Sequence, residues 1–337
     1  MKAERVVENL NRAIHNLFAS DPSVYLIGED ILDPYGGAFK VSKGLSITYP
    51  DRVITTPISE GSIVGFGLGM ALCGDKPIVE IMFGDFIGYA FDQIWNVASK
   101  FVRMYGRKLD LNILIRCPVG GNRGYGATHS QSPQKFFIGM PDLELFEITP
   151  FHNNIPLINR LVNRGNPVLL FENKVLYTEY MYQNGQSGKL FQYEFIGPNQ
   201  EFVKIFNGDM ENPEAIVLTQ GGLVSRCLKA AEKLFINEEI ESQILVSYQL
   251  YPFPLDLIID ILQKSKYIFI IEEDTPGATW GSEVAINIYQ KLENNSRIKL
   301  NIINSKNCII PCSPHLEHEV IVQTEHIIEV IKNEVLK

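Results

Sequence analysis

A chain of 337 residues is long for one hydrophobic core, so two domains are expected. Its 45% apolar and 20% charged composition is that of a globular protein and excludes a disordered or fibrous one. A net charge of -9 without a basic stripe excludes a nucleic-acid partner, and no apolar run reaches membrane-spanning length. The cysteines (Cys73, Cys117, Cys227, Cys308 and Cys312) are scattered without zinc-site spacing and read as reduced thiols. The first residues carry no apolar signal core, and a cytoplasmic location is expected.

Residues 4–19 place Val6, Val7, Leu10, Ile14, Leu17 and Phe18 on one helical face, and Asp21-Pro22 ends that helix. Val24 to Gly28 is a short apolar strand of the doubly buried kind, with Glu29 and Asp30 directly at its end. In an open parallel sheet that edge binds ligands, although two acids there also serve as turn caps. Val53-Ile54-Thr55 is another short strand, and Thr56-Pro57-Ile58-Ser59-Glu60 turns from it into an apolar helix running from Ile63 to Cys73. Glu60 thus stands between two apolar elements, a place for either a solvated loop residue or a catalytic acid.

Pro77 to Met82 is a strand, followed by Phe83-Gly84-Asp85-Phe86 and a helix to about Tyr105. Apolar residues cover more than half of that helix, which predicts burial against another subunit as well as its own sheet. Asn112 to Arg116 is a buried-type strand leading into Gly120 to Ser130, a glycine-rich loop too long for a mere turn. Strands from Asp142 to Ile148 and from Pro167 to Phe171 flank a further helix.

From Tyr180 to Asn199 Gln, Asn, Gly and Pro dominate, so a linker is expected at 186–200 between a first domain at 1–185 and a second at 201–337. Strands from Ala215 to Thr219, Ile244 to Tyr248, Tyr267 to Glu272 and Leu300 to Ile303 then alternate with helices, the last ending near Val335. This alternation predicts two α/β domains with mostly parallel sheets.

Gly65, Gly67 and Gly69 mimic a dinucleotide fingerprint, but they lie inside an apolar helix and read better as close-packing positions. There is no Walker loop, zinc-type HExxH or serine nucleophile elbow. His315 and His318 flank Glu317, which reads as a solvated helix start. More distinctive are Glu60, Phe86 and His129, each just after a predicted strand of the first domain and expected to line one end of its sheet. An acid, an aromatic platform and a histidine suit a flat, polar, heteroaromatic ligand.

Several runs carry a resemblance: Gly28-Glu29-Asp30, Phe39 to Leu45, Thr56-Pro57-Ile58-Ser59-Glu60, Phe91-Asp92-Gln93-Ile94 and His129-Ser130-Gln131-Ser132-Pro133. Phe171 to Tyr177, Tyr251 to Asp256, Ile271-Glu272-Glu273 and Gly281 to Val284 continue it. In order and over nearly the whole chain they resemble the β subunit of thiamine-diphosphate-dependent 2-oxo acid dehydrogenases, of pyruvate or branched-chain type. Phe83-Gly84-Asp85-Phe86 and the His-Ser-Gln-Ser-Pro run look most like the branched-chain members.

The resemblance implies a pyrimidine-binding thiamine-diphosphate domain with a mostly parallel sheet, followed by a transketolase C-terminal-like α/β domain. It further implies decarboxylation and acyl transfer to lipoamide. Glu60 and His129 would be catalytic, Glu60 at N1′ of the aminopyrimidine and His129 near the 2-oxo group or acyl acceptor. A carboxyl with that role needs an apolar pocket and a raised pKa. Glu29, Ile58, Glu60 and Phe86 would bind the cofactor, Phe86 by stacking. No metal ligand is expected in this chain.

The family's Gly-Asp-Gly motif with downstream Asn-Asn, which holds the diphosphate and Mg²⁺, is missing: Gly-Asp at Gly74, Gly84 and Gly208 lacks the third glycine. The chain resembles half an enzyme, with an α subunit supplying that half and Mg²⁺ in an α2β2 heterotetramer. A lipoyl acyltransferase core is a further partner, and the substrate a small 2-oxo acid or ketose. Arg164 lies in a loop where relatives wrap a monovalent cation, which puts that site in doubt. The alternative is half of a transketolase-like carbon–carbon ligase without a lipoyl partner; a non-catalytic assembly subunit and an NAD dehydrogenase are weaker readings.

Overall fold

The computed structural model describes residues 3–208, 212–292 and 298–337. The chain divides into two compact units, Met1–Gly120 with Phe137–Met181, and Gly121–Phe136 with Tyr182–Lys337. No helix among the described residues is long and apolar enough to cross a membrane.

The first unit holds strands β1 (Val24–Gly28), β2 (Val53–Thr55), β3 (Lys76–Glu80), β4 (Leu114–Val119), β5 (Glu144–Glu147) and β6 (Val168–Asn173). They lie in the order β5-β6-β4-β3-β1-β2 with every pair parallel. Its helices are α1 (Val6–Ser20), α2 (Leu45–Thr48), α3 (Glu60–Leu72), α4 (Ser99–Phe101) and α5 (Asn154–Val162). β4 and β6 are buried along their whole length, as their continuous apolar runs require of central parallel strands. α1 buries Val6, Leu10, Ala13, Ile14, Leu17 and Phe18 and packs on α5.

The helix expected from Phe86 to about Tyr105 is instead a 3₁₀ segment (Gly84–Ala90), a π segment (Gln93–Ala98) and the short α4. Its buried residues explain the change: Ala90, Ile94, Ala98 and Val102 recur every four positions. That spacing exceeds the α-helical 3.6, and a wider π turn keeps the apolar line facing inward.

The second unit holds β7 (Gln186–Ser187), β8 (Phe191–Ile196), β9 (Phe202–Phe206), β10 (Ala215–Gln220), β11 (Ser242–Ser247), β12 (Gln249–Tyr251), β13 (Tyr267–Ile271) and β14 (Lys299–Ile303). Its helices are α6 (Val224–Glu238), α7 (Ile259–Leu262), α8 (Trp280–Lys291), α9 (Pro314–Val320) and α10 (Thr324–Val335). β14-β13-β10-β11 are parallel, but β11-β9-β8-β7 run antiparallel, so this sheet is mixed and not mostly parallel. The expected linker at 186–200 is therefore β7 and β8, the sheet's margin. β8 is largely open to solvent, and such a polar edge strand lacks the apolar run by which buried strands are read.

In the first unit Asp21 ties the starts of β1 and β3 together. Its carboxylate accepts from Lys76 Nζ at 2.7 Å, from the Ser23 hydroxyl at 2.6 Å and from the Ser23 amide at 2.9 Å. Burial alone would raise this carboxyl, but those hydrogen bonds and the Lys76 charge outweigh it and hold the pKa at about 2. Since an unfolded Asp titrates near about 3.9, the link stabilises the fold above that pH and is lost as pH falls towards 2. Asp21→Asn is expected to cost roughly 2 kcal/mol at neutral pH and almost nothing near the folded value. Denaturant titrations of both proteins across the acid range check this; parallel curves would refute it.

Candidate active site

Parallel register brings the acids of the first unit together. Gly28 of β1 pairs with Thr55 of β2, and the Thr56 amide donates to the Gly28 carbonyl at 3.0 Å. The two strand ends are therefore level, and the next residues, Glu29 and Thr56, emerge side by side. Glu60 is the first residue of α3 and is buried at 6% exposure, while Ile58, on the same turn, is 82% exposed. α3 can lie this close to the sheet because of its small residues. A Cβ on Gly67 would stand 2.7 Å from Val79 Cγ2, and one on Gly61 would stand 3.0 Å from the Tyr89 carbonyl. Of the three glycines expected to pack closely, Gly67 does and a Cβ on Gly65 would stand 3.1 Å from Gln93 Oε1, but one on Gly69 would meet nothing within 4 Å.

Glu29 is buried next to Glu60. Burial and then the Glu60 charge push its carboxyl up, against a hydrogen bond from the Ser59 amide. Glu29 Oε1 and Thr56 Oγ1 are buried without a hydrogen-bond partner. Native structures rarely leave such atoms unsatisfied, so a corner with two of them is built to receive donors.

Phe86 lies half-buried in the 3₁₀ segment Gly84–Ala90, which packs against α3. Its ring meets Phe83 edge-on at 6.2 Å; Phe83 meets Phe39 at 5.5 Å, and Phe39 meets Tyr177 at 5.0 Å. This row of rings ends on a buried ion network. The Tyr177 hydroxyl donates to Glu172 Oε2 at 2.7 Å. Arg116 forks onto both Glu172 oxygens and reaches Glu80 with its third nitrogen, each at 2.7 Å. Burial opposes the Arg116 charge, but the flanking carboxylates outweigh it and raise the guanidinium pKa; burial pushes Glu80 up. None of Glu80, Arg116, Glu172 and Tyr177 was expected in the site. The available signal was a charged residue within each of three largely apolar strands: Glu80 at the end of β3, Arg116 in the middle of β4 and Glu172 near the end of β6.

His129 is carried by the segment Gly121–Phe136, which groups with the second unit, where second-unit carboxylates take its backbone amides. Its ring is half-buried, with Nδ1 2.9 Å from Thr128 Oγ1. Within the first unit the structure therefore joins Glu29, Glu60 and the Ile58 turn, with the Phe86 segment packed beside them. Glu317, expected as a solvated helix start, is buried at 2% exposure. Arg164 pairs with Glu144, which also accepts from Asn166 at 3.1 Å, so its positive charge is internally matched.

Removing one member of the Arg116 network strands the others without water. Glu172→Gln or Arg116→Met is expected to cost about 3–5 kcal/mol, and Tyr177→Phe about 1 kcal/mol. Chemical denaturation measures both, and a change below 1 kcal/mol for Arg116→Met would contradict this account.

Comparison with known proteins agrees with this architecture. The family model "Transketolase, pyrimidine binding domain" matches residues 5–179, and "Transketolase, C-terminal domain" matches residues 207–327. The acetoin:2,6-dichlorophenolindophenol oxidoreductase subunit beta of Cupriavidus necator is 30% identical over 317 residues, 91% of this chain and 90% of that one. The pyruvate dehydrogenase E1 component subunit beta of Chaetosphaeridium globosum is 29% identical, over 96% of each chain. A solved split-gene transketolase, an inactive beta4 tetramer, shares the fold with a TM-score of 0.69 at 15% identity, over 98% of this chain and 97% of that one. The chain is thus a member of the transketolase-like family, in the group formed by the β subunits of thiamine-diphosphate-dependent 2-oxo acid dehydrogenases.

Proposed function

We propose that this chain supplies the pyrimidine half of the thiamine-diphosphate site of a 2-oxo acid dehydrogenase, the other half coming from an α-type subunit. The carboxylate corner carries the proposal: Glu60 buried at the start of α3, Glu29 beside it, and Glu29 Oε1 and Thr56 Oγ1 unpartnered. An aminopyrimidine brings an amine donor and ring nitrogens to such oxygens, and the Phe86 ring offers it a flat apolar face. The residues fit the group.

Bound there, thiamine diphosphate supplies the electron sink for decarboxylation. Glu60 would hydrogen-bond the pyrimidine N1′. Glu29 beside it has its carboxyl pushed up by burial and then by the neighbouring Glu60. Phe86 would stack on the pyrimidine, and Ile58, exposed on the Glu60 turn, would contact the cofactor. His129 exchanges a proton with the substrate oxygen or the acyl acceptor.

The diphosphate and Mg²⁺ fall to the α subunit, since this sequence lacks the motif for them, and an α2β2 assembly follows with a lipoyl acyltransferase core as acyl acceptor. The relatives are named for acetoin and pyruvate, which supports a small 2-oxo acid or an acyloin as donor. Those names are oxidoreductase names, and none of them favours the ligase alternative.

Calorimetric titration of thiamine diphosphate with Mg²⁺ is expected to give binding with the co-expressed α-type chain and none with this chain alone; binding by the lone chain would place the diphosphate site here. In the assembled enzyme Glu60→Gln is expected to abolish turnover with assembly intact. Phe86→Ala is expected to weaken cofactor binding by about 1 kcal/mol from lost stacking, before any burial contribution. A fully active Glu60→Gln enzyme would remove Glu60 from the chemistry.

A further inference from the structure

The segment that carries His129 is held by its own backbone. The Gly121 amide donates to Glu273 Oε1 at 2.7 Å, and the Gly124 amide donates to Glu317 Oε2 at 2.9 Å. These bonds span 152 and 193 residues of sequence, so they are tertiary and not turn chemistry. Both carboxylates are almost fully buried, at 4% and 2% exposure. Glu273 is fixed in turn by Arg226, whose Nη2 reaches its Oε2 at 2.7 Å while Nη1 reaches the Val322 carbonyl at 2.7 Å.

Steric fit acts with the hydrogen bonds. A Cβ on Gly121 would stand 2.2 Å from Ile321 Cδ1 and 3.2 Å from Glu317 Oε1, so a larger residue here would displace the Ile321 side chain just beyond α9. Gln323 Nε2 donates to Asn122 Oδ1 at 2.9 Å, and Lys135 Nζ donates to the Thr275 carbonyl at 3.1 Å and pairs with Asp274 at 3.2 Å. His129 thus sits between two anchored ends, 121–124 and 135.

We propose that Glu273 and Glu317 are positioning residues for His129, holding its segment by the Gly121 and Gly124 amides so that the carboxy-terminal domain sets the proton-transfer geometry. For catalysis this rests on the reading of His129 given above; the placement of the segment does not. A buried carboxylate receiving a backbone N–H makes a charge-assisted bond, stronger than a neutral one, and suits a segment that must hold one conformation without secondary structure.

The test uses the full chain and two readouts that need no turnover: amide exchange of peptides covering 121–136, and the rate of His129 acylation by diethyl pyrocarbonate, mapped by mass spectrometry. Glu317→Ala is expected to raise exchange at Gly124 about tenfold and to change His129 reactivity several-fold. Glu317→Asp keeps the charge but falls short of the amide; it should move both readouts the same way with a smaller void than alanine leaves. Glu317→Gln keeps an oxygen acceptor without the charge and should move both readouts in the same direction by less. In the assembled enzyme the Asp variant should lower kcat with the donor KM unchanged and shift the pH profile of kcat. Wild-type exchange and reactivity in folded Glu317→Asp and Glu317→Ala would overturn the proposal. If His129→Ala keeps full turnover while the Glu317 variants alter His129 reactivity, the catalytic reading of His129 fails and the anchoring stands.

Discussion

The ligand end of the first unit depends on one buried guanidinium. Arg116, in the middle of β4, is level with Glu80 at the end of β3 and reaches Glu172 near the end of β6, in a layer from which water is excluded. Taking three charges out of water costs several kcal/mol per ion, and their attraction offsets that only when the geometry is complete. Here it is: all three outward nitrogens of Arg116 are used, and Glu172 also receives the Tyr177 hydroxyl. An apolar trio would serve stability as well, so the network's contribution is better sought in specificity. A strand slipped by one residue would put a charge among Val, Ile and Leu, and the parallel register of β3, β4 and β6 is thereby fixed.

The same network places the aromatic wall. Tyr177 is held by Glu172, Phe39 leans on Tyr177, Phe83 on Phe39, and Phe86 meets Phe83 edge-on. On the other flank a Cβ on Gly37, at a φ of 77°, would approach Glu80 Oε1 to 2.7 Å, so the 30–45 loop is seated on the network as well. A ring that must present a flat face to a ligand is thus positioned through contacts that begin at a charge, several side chains away.

Much of this was legible from the sequence, for physical reasons that differ by residue. Strands buried on both faces read directly as apolar runs, and Glu29 and Glu60 stood out as acids at the ends of such runs. The margin strands β7 and β8 were not legible, because an edge strand open to solvent has the composition of a linker. The π segment after Phe91 was not legible either, since a run apolar around most of its circumference has no clear period to measure. Arg116 and Glu172 were visible but unpaired on paper: 56 residues separate them, and only parallel register between β4 and β6 makes them neighbours. Glu317 misled for a similar reason. Between two histidines at a helix start it reads as solvated, and only a glycine 193 residues away explains its burial.

Buried carboxylates in this protein differ less in burial than in completeness, and completeness separates their roles. Glu172 is saturated by Arg116 and Tyr177; Glu272 receives the Gly281 amide at 2.8 Å and the Asn304 amide at 2.6 Å. Both have structural occupations that leave no capacity for a ligand. Glu29 keeps a buried oxygen with no donor, next to a second carboxylate and the unpartnered Thr56 hydroxyl. An unmade hydrogen bond of that kind costs roughly 1–3 kcal/mol, which a fold recovers only when something else supplies the donor. Glu317 shows that an idle oxygen is not sufficient by itself: its Oε1 also lacks a donor, yet it lies against Gly121, 3.2 Å from where a Cβ there would stand. An idle oxygen therefore marks a binding corner when it faces other idle polar atoms, and an anchor when backbone covers it. By that criterion Glu29 belongs with Glu60, and Glu317 belongs with the segment it holds.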